Sequence, residues 1–153
     1  YIGSITHPDN QAICVITSSN TDVQIGVDYE PYLSELVACE DNSNIHTKEE
    51  SLILTEQGIS TSIATTIIFS AKESLFKAVY PKVGEYFGFD YATVRYCNVG
   101  SGCLILRLKD SFANKYLIPD QYICDFELSP DGVLTLIHNQ IGRSHKNDEC
   151  LRP

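Results

Sequence analysis

The stretch SIATTIIFSAKESLFKAVYP, residues 62–81, reads as one long amphipathic helix, and the rest of the chain arranges itself around it. Ala64, Ile67, Ile68, Ala71, Leu75, Ala78 and Val79 recur at steps of three and four, which makes one apolar stripe. Thr66, Ser70, Glu73 and Lys77 make a second, polar stripe on the opposite face, flanked by Lys72 and Phe76. Pro81 is expected to stop the helix. Downstream the period changes to that of strands, over 92–98, 103–109, 121–128 and 132–138. NVGSG at 98–102 and SPDG at 129–132 supply hairpin turns. Upstream, 11–18 and 23–29 read as strands joined across the turn cluster TSSNTD, so a hairpin is expected between them. Pro31 is expected to open a helix running through Cys39, since Pro suits a first helical turn. A loop follows at DNSN, 41–44, and then Thr47-Lys48-Glu49-Glu50 reads as a capping box. The fold class is therefore α+β, with antiparallel strands packed against helices.

With 153 residues and 17.1 kDa the chain can close a single core, over 1–141, followed by a polar tail at 142–153. Hydrophobic residues at 43% and charged residues at 20% exclude a disordered chain. A net charge of −9 argues against nucleic-acid binding through a broad basic surface. No apolar run reaches membrane-spanning length, so no transmembrane segment is expected. The six cysteines form no CxxC pair and mostly sit in apolar runs, which points to reduced thiols and a cytoplasmic protein. The chain has no Met and starts at Tyr1, so a removed leader or a longer parent protein is expected.

All eleven basic residues lie from Lys48 onward, whereas Asp9, Asp22, Asp28, Glu30, Glu35, Glu40 and Asp41 precede it. These carboxylates make either a solvated acidic surface or, in part, a cation site. Asp28 and Glu30 are two apart at a strand end, so their side chains share a side and repel unless a cation lies between them. On spacing alone they read as two solvated carboxylates. Glu73 and Lys77 are one helical turn apart, the spacing of a weak surface ion pair worth about 0.3–0.5 kcal/mol. His7, before Pro8, reads alone as a loop histidine.

Taken together, GSITH at 3–7, IGVDYE at 25–30 and FSAKESLFK at 69–77 resemble the 4'-phosphopantetheinyl transferases. The likeness is to the siderophore (enterobactin) synthase branch of the larger, pseudo-dimeric type, and it runs from Tyr1 to about Asn139. The resemblance implies one half of a pseudo-two-fold pair, the C-terminal catalytic half, with the N-terminal half absent. It implies transfer of the 4'-phosphopantetheine arm of coenzyme A to a serine of an apo acyl or peptidyl carrier protein. Asp28, Glu30 and Glu73 match the family's metal carboxylates, for Mg²⁺ or Mn²⁺, and Glu73 its general base. Lys72 and Lys77 match lysines near the phosphates, with Lys77 stabilising the leaving group. His7 matches a histidine that touches a coenzyme A phosphate, with Ser4 and Thr6 beside it. Phe69 takes the motif's aromatic place. The gap from His7 to Asp28 is longer than usual, so an extended turn at 18–22 is expected. A non-catalytic module that binds coenzyme A or a carrier protein is the alternative, and a dimer imitating the two halves a further one.

Overall fold

The computed structural model describes residues 1–8, 10–18, 23–39 and 42–140. Residues 19–22 of the expected turn, the tail 142–153, Cys150, and the carboxylates Asp9, Asp22, Glu40 and Asp41 lie outside them. The chain forms β1 (Ile2–Thr6), β2 (Ile13–Thr17), β3 (Val23–Pro31), α1 (Glu35–Cys39), α2 (Lys48–Thr55) and α3 (Thr61–Val83). A 3₁₀ turn at Phe89–Tyr91 leads into β4 (Ala92–Asn98), β5 (Cys103–Leu108), α4 (Asp110–Tyr116), β6 (Gln121–Leu128) and β7 (Gly132–Gln140). Five strands make an antiparallel sheet in the order β3-β7-β6-β5-β4, and β1 and β2 make a separate two-stranded ribbon. The architecture is the expected α+β one.

The long helix is the axis of the core. Ser60 caps its first turn by accepting from the Ile63 N–H. The apolar stripe is fully covered, with Ile67, Ile68, Ala71, Leu75 and Val79 at 0% exposure. Of the polar stripe, Thr66 and Ser70 are buried while Glu73 and Lys77 are partly exposed; Ser70 and the neighbouring buried Ser74 turn towards β3 and β7, and Thr66 accepts from the Leu33 N–H just past β3. Two expectations about helix ends are corrected. α3 runs through Pro81 to Val83, because burial of Val83 holds the last turn despite one lost backbone bond, and Gly84 then closes it in the left-handed region at φ 68°. α1 begins at Glu35 rather than Pro31. Pro31 instead ends β3, an edge strand where a missing N–H is tolerated, and Ser34 caps α1 by accepting from the Val37 N–H.

The expected hairpin between 11–18 and 23–29 does not form. β2 pairs with β1, in register Gly3↔Ile16 and Ile5↔Cys14, while β3 pairs with β7, in register Asp28↔Thr135 and Glu30↔Val133. The ribbon is tied to β3 by hydroxyls: the Val27 N–H donates to Ser4 Oγ at 3.0 Å and the Tyr29 N–H to Thr6 Oγ1 at 3.3 Å. β3 lies against α3 at Gly26, where an added Cβ would meet the Ser74 carbonyl oxygen at 1.9 Å. Gly26→Ala is expected to cost on the order of 3 kcal/mol by forcing strand and helix apart, read as a lower urea midpoint. An unchanged midpoint would show that this contact yields without cost.

Cys97 and Cys124 are free and buried, and burial pushes the Cys97 thiol up to about 12, so it stays protonated at neutral pH. Cys14 is free and exposed. The expectation of reduced thiols is corrected at Cys103, which is disulfide-bonded. An apolar context does not tell a buried thiol from a buried half-cystine. Among the described residues no helix is long and apolar enough to cross a membrane.

Candidate functional site

β3 ends beside the middle of α3, and that contact assembles the charged residues. Asp28 is 4% exposed although it is a carboxylate. Its charge is met on three sides. Lys77 Nζ lies 2.7 Å from Oδ1, Thr6 donates to the same oxygen at 3.3 Å, and Ser70 donates to Oδ2 at 2.9 Å. Ser70 is itself seated by its neighbours. Thr135, opposite Asp28 on β7, donates to the Ser70 carbonyl at 3.0 Å, and its hydroxyl lies 2.9 Å from Ser70 Oγ and 2.7 Å from Ser74 Oγ. This buried hydroxyl chain holds the Asp28 carboxylate in place.

Glu30 and Glu73 are half-buried next to Asp28. Burial, then the Asp28 charge, then Glu73 push the Glu30 carboxyl up to about 7, against the pull of Lys77. Glu73 is raised for the same first two reasons, burial and Asp28, and is likewise drawn down by Lys77. Three carboxylates thus face one ammonium. Lys77 pairs with Asp28 and also donates to the Val27 carbonyl at 3.0 Å, so the weak surface pair that its spacing from Glu73 offers is not the one formed.

The raised carboxyls have a consequence for folding. A carboxyl raised on folding binds extra protons in the native state. Its stabilising effect is complete below the ordinary carboxylate range and is lost as pH rises through about 7 for Glu30. The metal-free thermal midpoint is therefore expected to fall between pH 5 and 7.5, as measured by circular dichroism. Glu30→Gln should flatten that slope, and an unaltered slope would remove Glu30 as its source.

Lys72 sits apart from this cluster. It is 3% exposed and pairs with Glu50 at 2.8 Å. Burial depresses its ammonium, and Glu50 works in the other direction. Glu73, Phe76, Tyr86, Phe87 and Phe89 line a cleft that reaches Lys72 at its floor. Phe69 packs on Phe89 with ring centres 5.3 Å apart, which makes it a packing residue of the cleft wall. His7 is exposed, directly after the Thr6 that contacts Asp28, so β1 delivers it to the same end of the site. Ser4 lies two residues back, its oxygen taken by the Val27 N–H.

The site meets a family pattern. The family model for the 4'-phosphopantetheinyl transferase superfamily matches residues 24–127, from β3 into β6. The chain belongs to the 4'-phosphopantetheinyl transferase superfamily. Enterobactin synthase component D of Salmonella typhi is 35% identical over 111 residues, covering 72% of this chain and 44% of that protein. Enterobactin synthase component D of Escherichia coli O157:H7 is 42% identical over 76 residues, covering 50% of this chain and 35% of that protein. The chain thus matches less than half the length of these two relatives.

Among the described residues no three His, Cys, Asp or Glu side chains already close round one point. The donor set nevertheless suits a hard cation. Asp28, Glu30 and Glu73 offer only oxygen, and the Glu30 and Glu73 carboxyls are raised first by burial and then by the Asp28 charge beside them. Sequence reading missed the support of this site. Thr135 belongs to no motif and Ser74 is an unremarked position of FSAKESLFK, and only their burial and their bonds to each other and to Ser70 reveal them. Glu50 was legible only as half of a capping box.

Proposed function

We propose that this chain transfers the 4'-phosphopantetheine arm of coenzyme A to a serine of an apo acyl or peptidyl carrier protein, acting in the cytoplasm. We further propose that it is the catalytic half of a two-part site whose other half holds the nucleotide. The observation that carries this reading is the meeting of Asp28, Glu30, Glu73 and Lys77 at the contact of β3 with α3. The serine oxygen forms a bond to the phosphorus that carries pantetheine, the pyrophosphate P–O bond breaks, and adenosine 3',5'-bisphosphate leaves. Glu73 takes the serine proton, for which its raised carboxyl is suited. Lys77 faces the charge that develops on the leaving phosphate, and His7, Ser4 and Thr6 line the nucleotide side. Lys72 stands in the motif at the cleft floor. Asp28, Glu30 and Glu73 would hold Mg²⁺, or Mn²⁺, which supplies neutralisation of the pyrophosphate charge. The aromatic cleft beside Glu73 suits the uncharged pantetheine arm.

The likeness to enterobactin synthase component D supports siderophore assembly as the pathway, with other nonribosomal peptide or polyketide carriers as further substrates. Incubating the whole protein with coenzyme A, Mg²⁺ and an apo carrier is expected to add the mass of one phosphopantetheine to the carrier. No mass gain with folded protein would overturn the reading, and coenzyme A binding without transfer would leave a non-catalytic binding module.

A further inference from the structure

Lys72 and Glu73 are neighbours on α3, and their side chains leave the helix about 100° apart. An ammonium has three donors. Those of Lys72 have three partners: Glu50 Oε1 at 2.8 Å, the Ile45 carbonyl at 2.8 Å and the Phe89 carbonyl at 3.3 Å. No donor is left to meet a phosphate in the adjoining cleft.

Glu50 is used as completely. Its Oε2 accepts the Thr47 N–H at 2.8 Å, completing the capping box of α2, and its Oε1 accepts the Val94 N–H at 2.8 Å as well as Lys72. The pair therefore joins the loop at Ile45, the start of α2, the 3₁₀ turn at Phe89, β4 and α3 at one buried point. It fixes the rotation of α3 one residue before Glu73, and through Phe89 it holds the facing wall of the cleft.

We propose that Glu50 is a positioning residue for Glu73, acting through Lys72, and that Lys72 holds the helix rather than a phosphate. This rests on the transfer reaction proposed above. A carboxylate turned aside by about 1 Å is enough to cost a large factor in rate without changing ground-state binding.

Glu50→Gln and the double variant Glu50→Leu with Lys72→Met test it. The double variant removes both charges, so it leaves no lone buried ion and retains the fold if the single variant does not. With coenzyme A, Mg²⁺ and an apo carrier, kcat is expected to fall about tenfold or more, with KM for coenzyme A within about twofold of the parent. A rise in KM for coenzyme A, with or without a fall in kcat, would make Lys72 a phosphate ligand and overturn the proposal. So would unchanged kinetics. The unsubstituted protein runs alongside: if it transfers nothing, the transfer reading fails by itself. The clamp is then judged by amide hydrogen exchange, faster at 73–77 in the variants supporting it and unchanged exchange overturning it.

Discussion

Glu73→Gln is expected to lower kcat for carrier labelling by about a thousandfold or more, while the thermal midpoint stays the same or rises. The two halves of that expectation have separate physical origins. Glu73 is half-buried and has no hydrogen bond to another described residue, so the isosteric amide breaks no contact of the fold. It also removes one of the charges that faces Asp28 and raises Glu30, which relieves repulsion in the metal-free protein. The loss falls on the reaction alone. An amide cannot accept the serine proton, and it is a poor ligand for a hard cation beside Asp28 and Glu30. Mass spectrometry of the carrier reads the rate and circular dichroism the midpoint. Activity within tenfold of the parent would take Glu73 out of both the base and the metal roles.

What could be read from the sequence follows how local each signal is. The stripes of α3 repeat within one helix, so its extent was legible to within three residues at each end, and the strands of the second half were bounded by local turns. The ends went wrong where a distant contact decided them. Val83 carries α3 past Pro81, and β7 pairs with β3 across more than a hundred residues of chain. Alternation tells which side of a strand is buried but not which strand lies beside it, so the local turn cluster points to β3 as the partner of β2 where the partner is β1. β1 and α4 are not read from the sequence, although β2, which is, has no more residues than β1. The site divides in the same way. Asp28, Glu30, Glu73 and Lys77 belong to short motifs and could be named in advance. Ser70 was seen as part of a polar stripe, but its bond to Asp28 was not, because it depends on the register that places Thr135 opposite Asp28. The resemblance sets Lys72 with the phosphate lysines, and only its three buried partners show how it is spent.

Asp28→Asn is expected to lower transfer by about a hundredfold or more and to cost about 2 kcal/mol of stability, the cost depending on pH. The carboxylate accepts from Lys77, Ser70 and Thr6, and an amide offers one oxygen where the carboxylate offers two. Its amino group then faces a hydroxyl or an ammonium, each a donor. The Lys77 side chain is 28% exposed and keeps the Val27 carbonyl, so water softens the loss and holds it below that of a fully buried pair. The opposing effect comes from Glu30, which the Asp28 charge helps push up to about 7. At pH 5 Glu30 is protonated, its repulsion with Asp28 is gone, and the substitution shows more of its cost. At pH 7.5 Glu30 is ionised, so neutralising Asp28 relieves a repulsion and offsets part of that cost. Urea unfolding at the two pH values should therefore give a smaller destabilisation at the higher one. Equal costs at both would mean that Glu30 does not feel the Asp28 charge, and the case for a cation among these carboxylates would lose its electrostatic basis.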